Sequence, residues 1–366
     1  MKKKLITLTV VAALAPVAAL AASTTVTINT DTNITIYGQA HLSVDGSDDG
    51  GALSRTKIAS SSSRLGVKGF KELGSGLKAV YQLESGVDLS GHGNSAVSGG
   101  DGNGGGATGS IFTNARDSFV GLSGGFGSVT LGRHGGANQW VYDVNFFADQ
   151  VGDAGNFLGA KSNLGGRVNS SLMYATPDMS GFKAMATYVA KTNAVSPAAG
   201  SESSYILRGT YDNGPASVAL TYANAGLGGT ARNEKATSLA GNYDFGAGKA
   251  GVQYLRLTDV GEVAGANINI YTLGGSFKVT SNGAVKAQYS KAGNLSGAAN
   301  TGASMYALGY DHNLGKDVTL YVAYANTTND AGATYTATDW GHGGNIGVAA
   351  AGKDPHSVSV GVVYKF

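Results

Sequence analysis

The chain has 366 residues, no cysteine, 58 glycines, 18 tyrosines and only 14% charged residues. Disulfides and thiolate metal sites are thereby excluded. With a mean hydropathy of −0.03 and no second run of ~18 apolar residues, a bundle of membrane helices is excluded as well.

The chain opens with "MKKKLITLTVVAALAPVAALA", in which Lys2, Lys3 and Lys4 precede an apolar run and Ala19-Leu20-Ala21 forms a small-x-small site. This is the layout of a secretory signal peptide, 1–21, cut after Ala21, and it leaves 22–366 as one exported domain. Without the three lysines, 23 basic residues face 24 acidic ones. Such a balance gives no reason to expect nucleic acid as a partner.

The first strand is expected over 33–45, "NITIYGQAHLSVD". Alternation puts Ile34, Ile36, Ala40 and Leu42 on one face and Gln39 and His41 on the other. Gly38 and Ala40 give the apolar face small residues suited to close packing against another subunit. In "SRLGVKGF" the same parity sets Leu65 and Val67 against Arg64 and Lys68. In "GRVNSSLMY" it turns Val168, Leu172 and Tyr174 outward and Arg167 inward. Arg133 breaks the rule, since Val129 and Leu131 share its parity; a bulge or bend there would still turn it inward.

From 182 onward the chain reads as a meander with tyrosines at 188, 222, 254, 289 and 324, spaced by 34, 32, 35 and 35 residues. Two strands of ~10 residues with one tight turn and one longer loop account for that period. Tyrosine is simply a good strand residue, but its recurrence at matching depth fits an aromatic girdle. Glycine-rich turns at 73–76, 124–127, 179–181, 213–214, 246–248, 281–283 and 314–316 alternate with long polar segments such as 86–114, 134–165 and 329–355. The last ten residues, "SVSVGVVYKF", alternate again, with Val358, Val360, Val362, Tyr364 and Phe366 on one side.

Short turns at one end and long loops at the other, over about sixteen strands, predict an all-β fold: a transmembrane antiparallel β-barrel with a water-filled lumen. A secreted β-solenoid shares the composition, but it would need comparable turns at every corner. A terminal strand that closes a barrel explains an apolar face without the charges or prolines that soluble edges carry.

The stretches "SRLGVKGFKELGSGLKAVYQLESG" (63–86), "SFVGLSGGFGSVTLGRH" (118–134), "GRVNSSLMYATPDMSGF" (166–182) and the terminal "YKF" resemble general-diffusion porins of Gram-negative outer membranes, and the likeness runs over essentially the whole mature chain. The resemblance implies a homotrimer in contact with outer-membrane lipid and lipopolysaccharide, passing small hydrophilic solutes and ions without catalysis or cofactor. It also implies that the terminal strand, with Val362, Tyr364 and Phe366, is read by the outer-membrane insertion machinery.

In that family the third long loop folds into the lumen and sets acidic groups against basic residues of the wall. Here the loop is 134–166. It offers Asp143, Asp149 and Asp153 as the acidic side of a constriction, with apolar Trp140, Val141, Tyr142, Phe146, Phe147 and Phe157 tying it to the wall. Arginines matching Arg64, Arg133 and Arg167 occur in the family; Lys68 joins them by parity, and Gln39 and His41 line the lumen near the same level. Four basic groups against two or three acidic ones imply a weak anion preference.

No HExxH or GxSxG is present, His41 has no sequence partner for nucleophilic or metal chemistry, and no metal site is expected. "SGGDGNGGGATG" (98–109) faintly resembles a calcium-binding glycine repeat, but as a single copy in the second loop it reads as a flexible segment. The alternatives are a substrate-selective porin, which would carry long aromatic or arginine ladders, and a secreted β-rich adhesin.

Overall fold

The structure, a computed structural model, describes residues 24–29, 32–90, 112–190, 204–226, 232–343 and 347–366. The signal segment and most of the second loop, with its glycine-rich stretch, lie outside the described residues.

The wall begins with β2 (Thr32–Asp48), longer at both ends than the sequence indicates. A short β1 (Thr24–Asn29), which sequence reading did not separate, pairs antiparallel with its start at Val26↔Ile34. The second wall strand is interrupted at Ser61–Ser63, giving β3 (Ser54–Ser60) and β4 (Arg64–Gly74), both paired to β2. Next comes β5 (Leu77–Val87), then a fourth wall strand broken at Arg116–Asp117 into β6 (Phe112–Ala115) and β7 (Ser118–Gly124). The ladder continues through β8 (Gly127–Gly135), β9 (Arg167–Ala175), β10 (Phe182–Val189), β11 (Ser204–Asn213) and β12 (Ala216–Ala225). It runs on through β13 (Glu234–Asp244), β14 (Gly248–Thr258), β15 (Ile268–Lys278), β16 (Gly283–Ala292), β17 (Ala303–Asn313), β18 (Val318–Asn329) and β19 (His356–Lys365).

β19 then pairs with β2 from His356↔Asp48 to Lys365↔Gln39, which closes an antiparallel barrel of sixteen wall strands. Closure leaves no open sheet edge, so the backbone ladder of the wall is paired around the ring without water. Gly38 N–H donates to the Phe366 carbonyl at 2.8 Å and Phe366 N–H to the Gly38 carbonyl at 3.1 Å. The ring of Phe366 lies where a side chain at position 38 would stand. Gly38 therefore serves the seam of its own barrel instead of offering a bare face to a neighbour.

The turns fall at one rim. Ser75-Gly76 joins β4 to β5, and Gly214-Pro215 joins β11 to β12, with Gly214 at φ +57° where a side chain is disfavoured. The other rim carries the long connections, including 136–166 and 330–355. The outer face is apolar: Val120, Leu131, Leu220, Leu239, Val252, Leu273 and Leu308 are all exposed. Near the long-loop end it carries tilted ring pairs, Tyr205–Tyr222 at 6.1 Å, Tyr254–Tyr271 at 5.1 Å and Tyr306–Tyr324 at 5.9 Å. Phe245–Phe277 makes a second aromatic contact near the short-turn rim. These are the two girdles of a barrel that crosses a membrane.

Candidate functional site: a lumen narrowed by the third loop

The 136–166 loop enters the barrel and packs on the inner face of β11–β18. Its short helices, α1 (Asn138–Val141) and α2 (Gly155–Leu158), bury Trp140, Val141, Phe157 and Leu158. They pack with Ile206, Leu255, Leu257, Ile268 and Ile270, which the wall turns inward. Small wall residues make the room: Ala307, Ala323 and Ala325 receive Phe147 and Val151. Part of the 330–355 loop follows it inward. The Trp340 ring lies flat against Gly155 and Gly159, and Tyr335 stacks on Phe157 at 4.7 Å.

Two glutamines fasten the loop through its backbone. Gln253 accepts from Val144 N–H at 3.2 Å and donates to the Trp140 carbonyl at 2.8 Å. Gln288 accepts from Phe146 N–H at 2.8 Å and donates to the Gly152 carbonyl at 3.0 Å. Each carboxamide thus satisfies one donor and one acceptor of a buried segment that has no ladder of its own.

An open cavity of about 500 Å³ remains between the loop and the opposite wall. Gln39, His41 and Arg64 line it on one side and Asp149 on the other. Arg64 donates to the Ser62 carbonyl at 3.1 Å and to Gln39 Oε1 at 3.2 Å, with no carboxylate partner among the described residues. His41 shares a 2.9 Å hydrogen bond with the Tyr321 hydroxyl. Asp149 sits at φ +63° and accepts from the Tyr142 hydroxyl at 3.3 Å.

The other anticipated groups lie elsewhere. Asp153 is fully buried inside the loop, where it accepts from Asn145 Nδ2 at 2.7 Å and from Asp149 and Gly155 N–H, both at 2.6 Å. It shapes the loop and does not face the lumen. Burial, reinforced by the charge of Asp149, pushes its pKa up to about 8 against the pull of the three N–H donors. Asp143 is also off the cavity: it pairs with Arg208 at 2.5 Å. Burial raises its pKa, opposed by that guanidinium.

Lys68 points inward but lies four residues below Arg64, roughly 13 Å along the strand, with its ammonium 4.8 Å from the Tyr37 ring centre. Arg133 stands at a register shift between Gly132 and His134 and is buried, donating to the Ala115 carbonyl at 2.8 Å and to Asn169. Arg167 pairs with Asp117 at 2.6 Å. Val168, expected outside, is buried among the loop residues. Ser170 at φ +48° breaks the alternation between it and the outward Leu172 and Tyr174.

Sequence reasoning missed several lining groups. Arg116 stands at the break between β6 and β7 and pairs with Glu84 at 2.5 Å. Lys286 pairs with Asp311 at 2.8 Å and donates to Gln150 Oε1 at 2.7 Å. Lys316, Asp317 and Lys365 line the cavity toward the short-turn rim. Parity on β16, where Val285, Ala287 and Tyr289 face out, was the available signal for Lys286.

Comparison with known proteins adds to this geometry. The family model described as "Gram-negative porin" matches residues 7–332. Outer membrane porin protein 32 of Delftia acidovorans is 34% identical over 380 residues, covering 100% of both chains. Major outer membrane protein P.IB of Neisseria gonorrhoeae is 33% identical over 53% of this chain and 49% of its own. Among solved structures, the anion-selective porin from Comamonas acidovorans has a TM-score of 0.70 at 29% identity, over 92% of this chain and 100% of that one. The trimer form of OmpT from Vibrio cholerae shares the fold, with a TM-score of 0.64 at 17% identity over 92% and 100%. The closed barrel, the loop in its lumen and the end-to-end match agree: this chain belongs to the Gram-negative porins, passive channels of the outer membrane.

Proposed function

We propose that the channel passes small hydrophilic solutes and ions with a weak preference for anions, and that the gap between the third loop and the β2–β4 wall sets that preference. The observation that carries this reading is the cavity's charge. Arg64, Arg116, Lys286, Lys316 and Lys365 face Asp149, Asp311 and Asp317, five cations against three carboxylates. Arg116 and Lys286 are paired with carboxylates, whereas Arg64, Lys316 and Lys365 form no such pair among the described residues, and of these three Arg64 stands on the wall beside Gln39 and His41. Opposed charges across water make a transverse field that admits dipolar solutes, and the excess cation biases ions. The anion selectivity named for the Comamonas porin supports the sign. No covalent step enters passage.

We further propose that the functional unit is a homotrimer; the trimer form of a protein with this fold supports it. Light scattering in mild detergent is expected to return three copies, and a monomer would refute the assembly. Liposome swelling tests the transport reading. Rates are expected to fall smoothly with solute size and to rise linearly with concentration. Saturation by one solute would instead favour a substrate-selective channel.

A further inference from the structure

A short piece of the last long loop, Trp340 to Gly343, is fastened at one end to the third loop and at the other to the wall. At the third loop, Asn156 Oδ1 accepts from Asp339 N–H at 2.9 Å and from Trp340 N–H at 2.7 Å, and the Trp340 ring lies on Gly155 and Gly159. At the wall, the piece meets the break between β3 and β4. Ser62 Oγ donates to the Gly341 carbonyl at 3.0 Å, and Ser61 Oγ accepts from Gly343 N–H at 3.1 Å. Three residue steps join the two anchorages, so the third loop and the wall stand no more than about 10 Å apart along this piece.

The side chain that pins it is His342. The imidazole is fully buried, with Nε2 3.3 Å from Oδ2 of the equally buried Asp45. The other Asp45 oxygen accepts from Ser359 Oγ at 2.6 Å, and Lys57 opposes Asp45 across the β2–β3 ladder. A carboxylate removed from water needs polar partners, and His342 brings one from the loop. Removing the imidazole leaves Asp45 Oδ2 buried without it, so the piece must lift to admit water.

Both neighbours of His342 are glycines because other groups occupy the space of a side chain. Gly343 passes against the Ser60 carbonyl. Gly341, at φ +67°, passes directly behind Asp149: a Cβ there would stand 2.5 Å from Asp149 Oδ1. Asp149 has little else to hold it. Among the described residues its carboxylate takes one side-chain bond, from the Tyr142 hydroxyl at 3.3 Å. Its backbone sits at φ +63°, a conformation that the surroundings must maintain. Asp149 is also the loop carboxylate that lines the cavity across from Arg64.

We infer that His342 is a positioning residue for ion preference: anchored on Asp45, it holds Gly341 against Asp149 and so sets where the acidic side of the gap stands. This rests on the proposed field across the gap and deepens it, since a transverse field depends on the placement of both signs. With the pin removed, Asp149 leaves its place and opposes the wall cations less.

The test is a double-mutant cycle on reversal potential in planar bilayers, under a potassium chloride gradient at low salt, with wild type, H342L, D149N and H342L/D149N. H342L should move the potential toward anions, in the direction of D149N and by less. In the D149N background it should add nothing, whereas a general loosening of the loop would shift that channel too. H342Q, which keeps an N–H donor at similar reach, should retain the wild-type potential. An unmoved potential in H342L, an equal shift in the D149N background, or an H342Q channel that shifts as far as H342L would each overturn the inference while leaving the gap reading intact. If H342L fails to insert, S62A, which removes the donor to the Gly341 carbonyl, should shift the potential toward anions, and an unmoved S62A channel would overturn the inference. A D149N channel that keeps the wild-type potential would overturn the gap reading and this inference with it.

Discussion

Replacing Gln253 and Gln288 with leucine tests whether the third loop is held by side-chain bonds to its backbone. Leucine keeps most of the volume but cannot bond. The double change orphans Val144 N–H, Phe146 N–H and the Gly152 carbonyl, while the Trp140 carbonyl keeps the Asp143 N–H at 3.2 Å. Each buried group left unsatisfied costs ~1–3 kcal/mol, so loop docking loses on the order of 3–9 kcal/mol if the loop stays in place. The apolar contacts of Trp140 and Phe157 oppose release, so the loop should loosen within the lumen instead of leaving it. The ladder of wall strands is untouched, so the barrel should still fold. Single-channel recording should show larger and noisier conductance than wild type. Wild-type conductance and noise in the double variant would refute the tethering argument.

Asp143→Asn should leave the Arg208 guanidinium, exposed by only 14%, without its carboxylate; losing one partner of a buried pair costs ~3–5 kcal/mol, to be read as faster proteolysis within 142–153. The Asp153 pKa, held near 8, lies above its unfolded value near 3.8. Its contribution to loop docking is therefore complete below about pH 4 and is lost as pH rises through about 8. Channel noise should increase between pH 5 and pH 8 and level off above it, and Asp153→Asn should flatten that change; noise independent of pH in wild type would contradict the assignment. Deleting Phe366 removes the ring over Gly38 and both terminal backbone bonds. Outer-membrane yield should drop several-fold, and normal yield would count against the seam.

The wall was legible because its physics is local. Alternation at Ile36, Leu65, Val358, Val360 and Val362 reports a lipid face directly, and turn glycines such as Gly214 mark one rim. The site was only partly legible because the loop rewrites the rule it sits on. In "VQYLRLT" a polar-inward reading would send Arg256 into the lumen. The structure turns it out and buries Leu255 and Leu257, because the loop gives the inner face an apolar partner. Val168 was misread for the same reason, compounded by the kink at Ser170. The acidic residues of the loop looked alike in sequence. Their roles separate only through tertiary contacts: Asp143 to Arg208, Asp153 to backbone N–H groups, and Asp149 to the cavity. Arg116 escaped notice because it stands in a break between β6 and β7, where parity says nothing.

The central claim is that fixed charges on either side of the loop-narrowed cavity set ion preference. Reversal potential across a planar bilayer under a potassium chloride gradient tests it most directly. Low salt is the condition of choice, since screening extends over ~30 Å at 0.01 M and ~8 Å at physiological strength. Wild type should reverse on the anion side, Arg64→Ser should move toward cations, and Asp149→Asn should move further toward anions. A cation-selective wild type, or two variants that leave the potential where wild type puts it, would contradict the account.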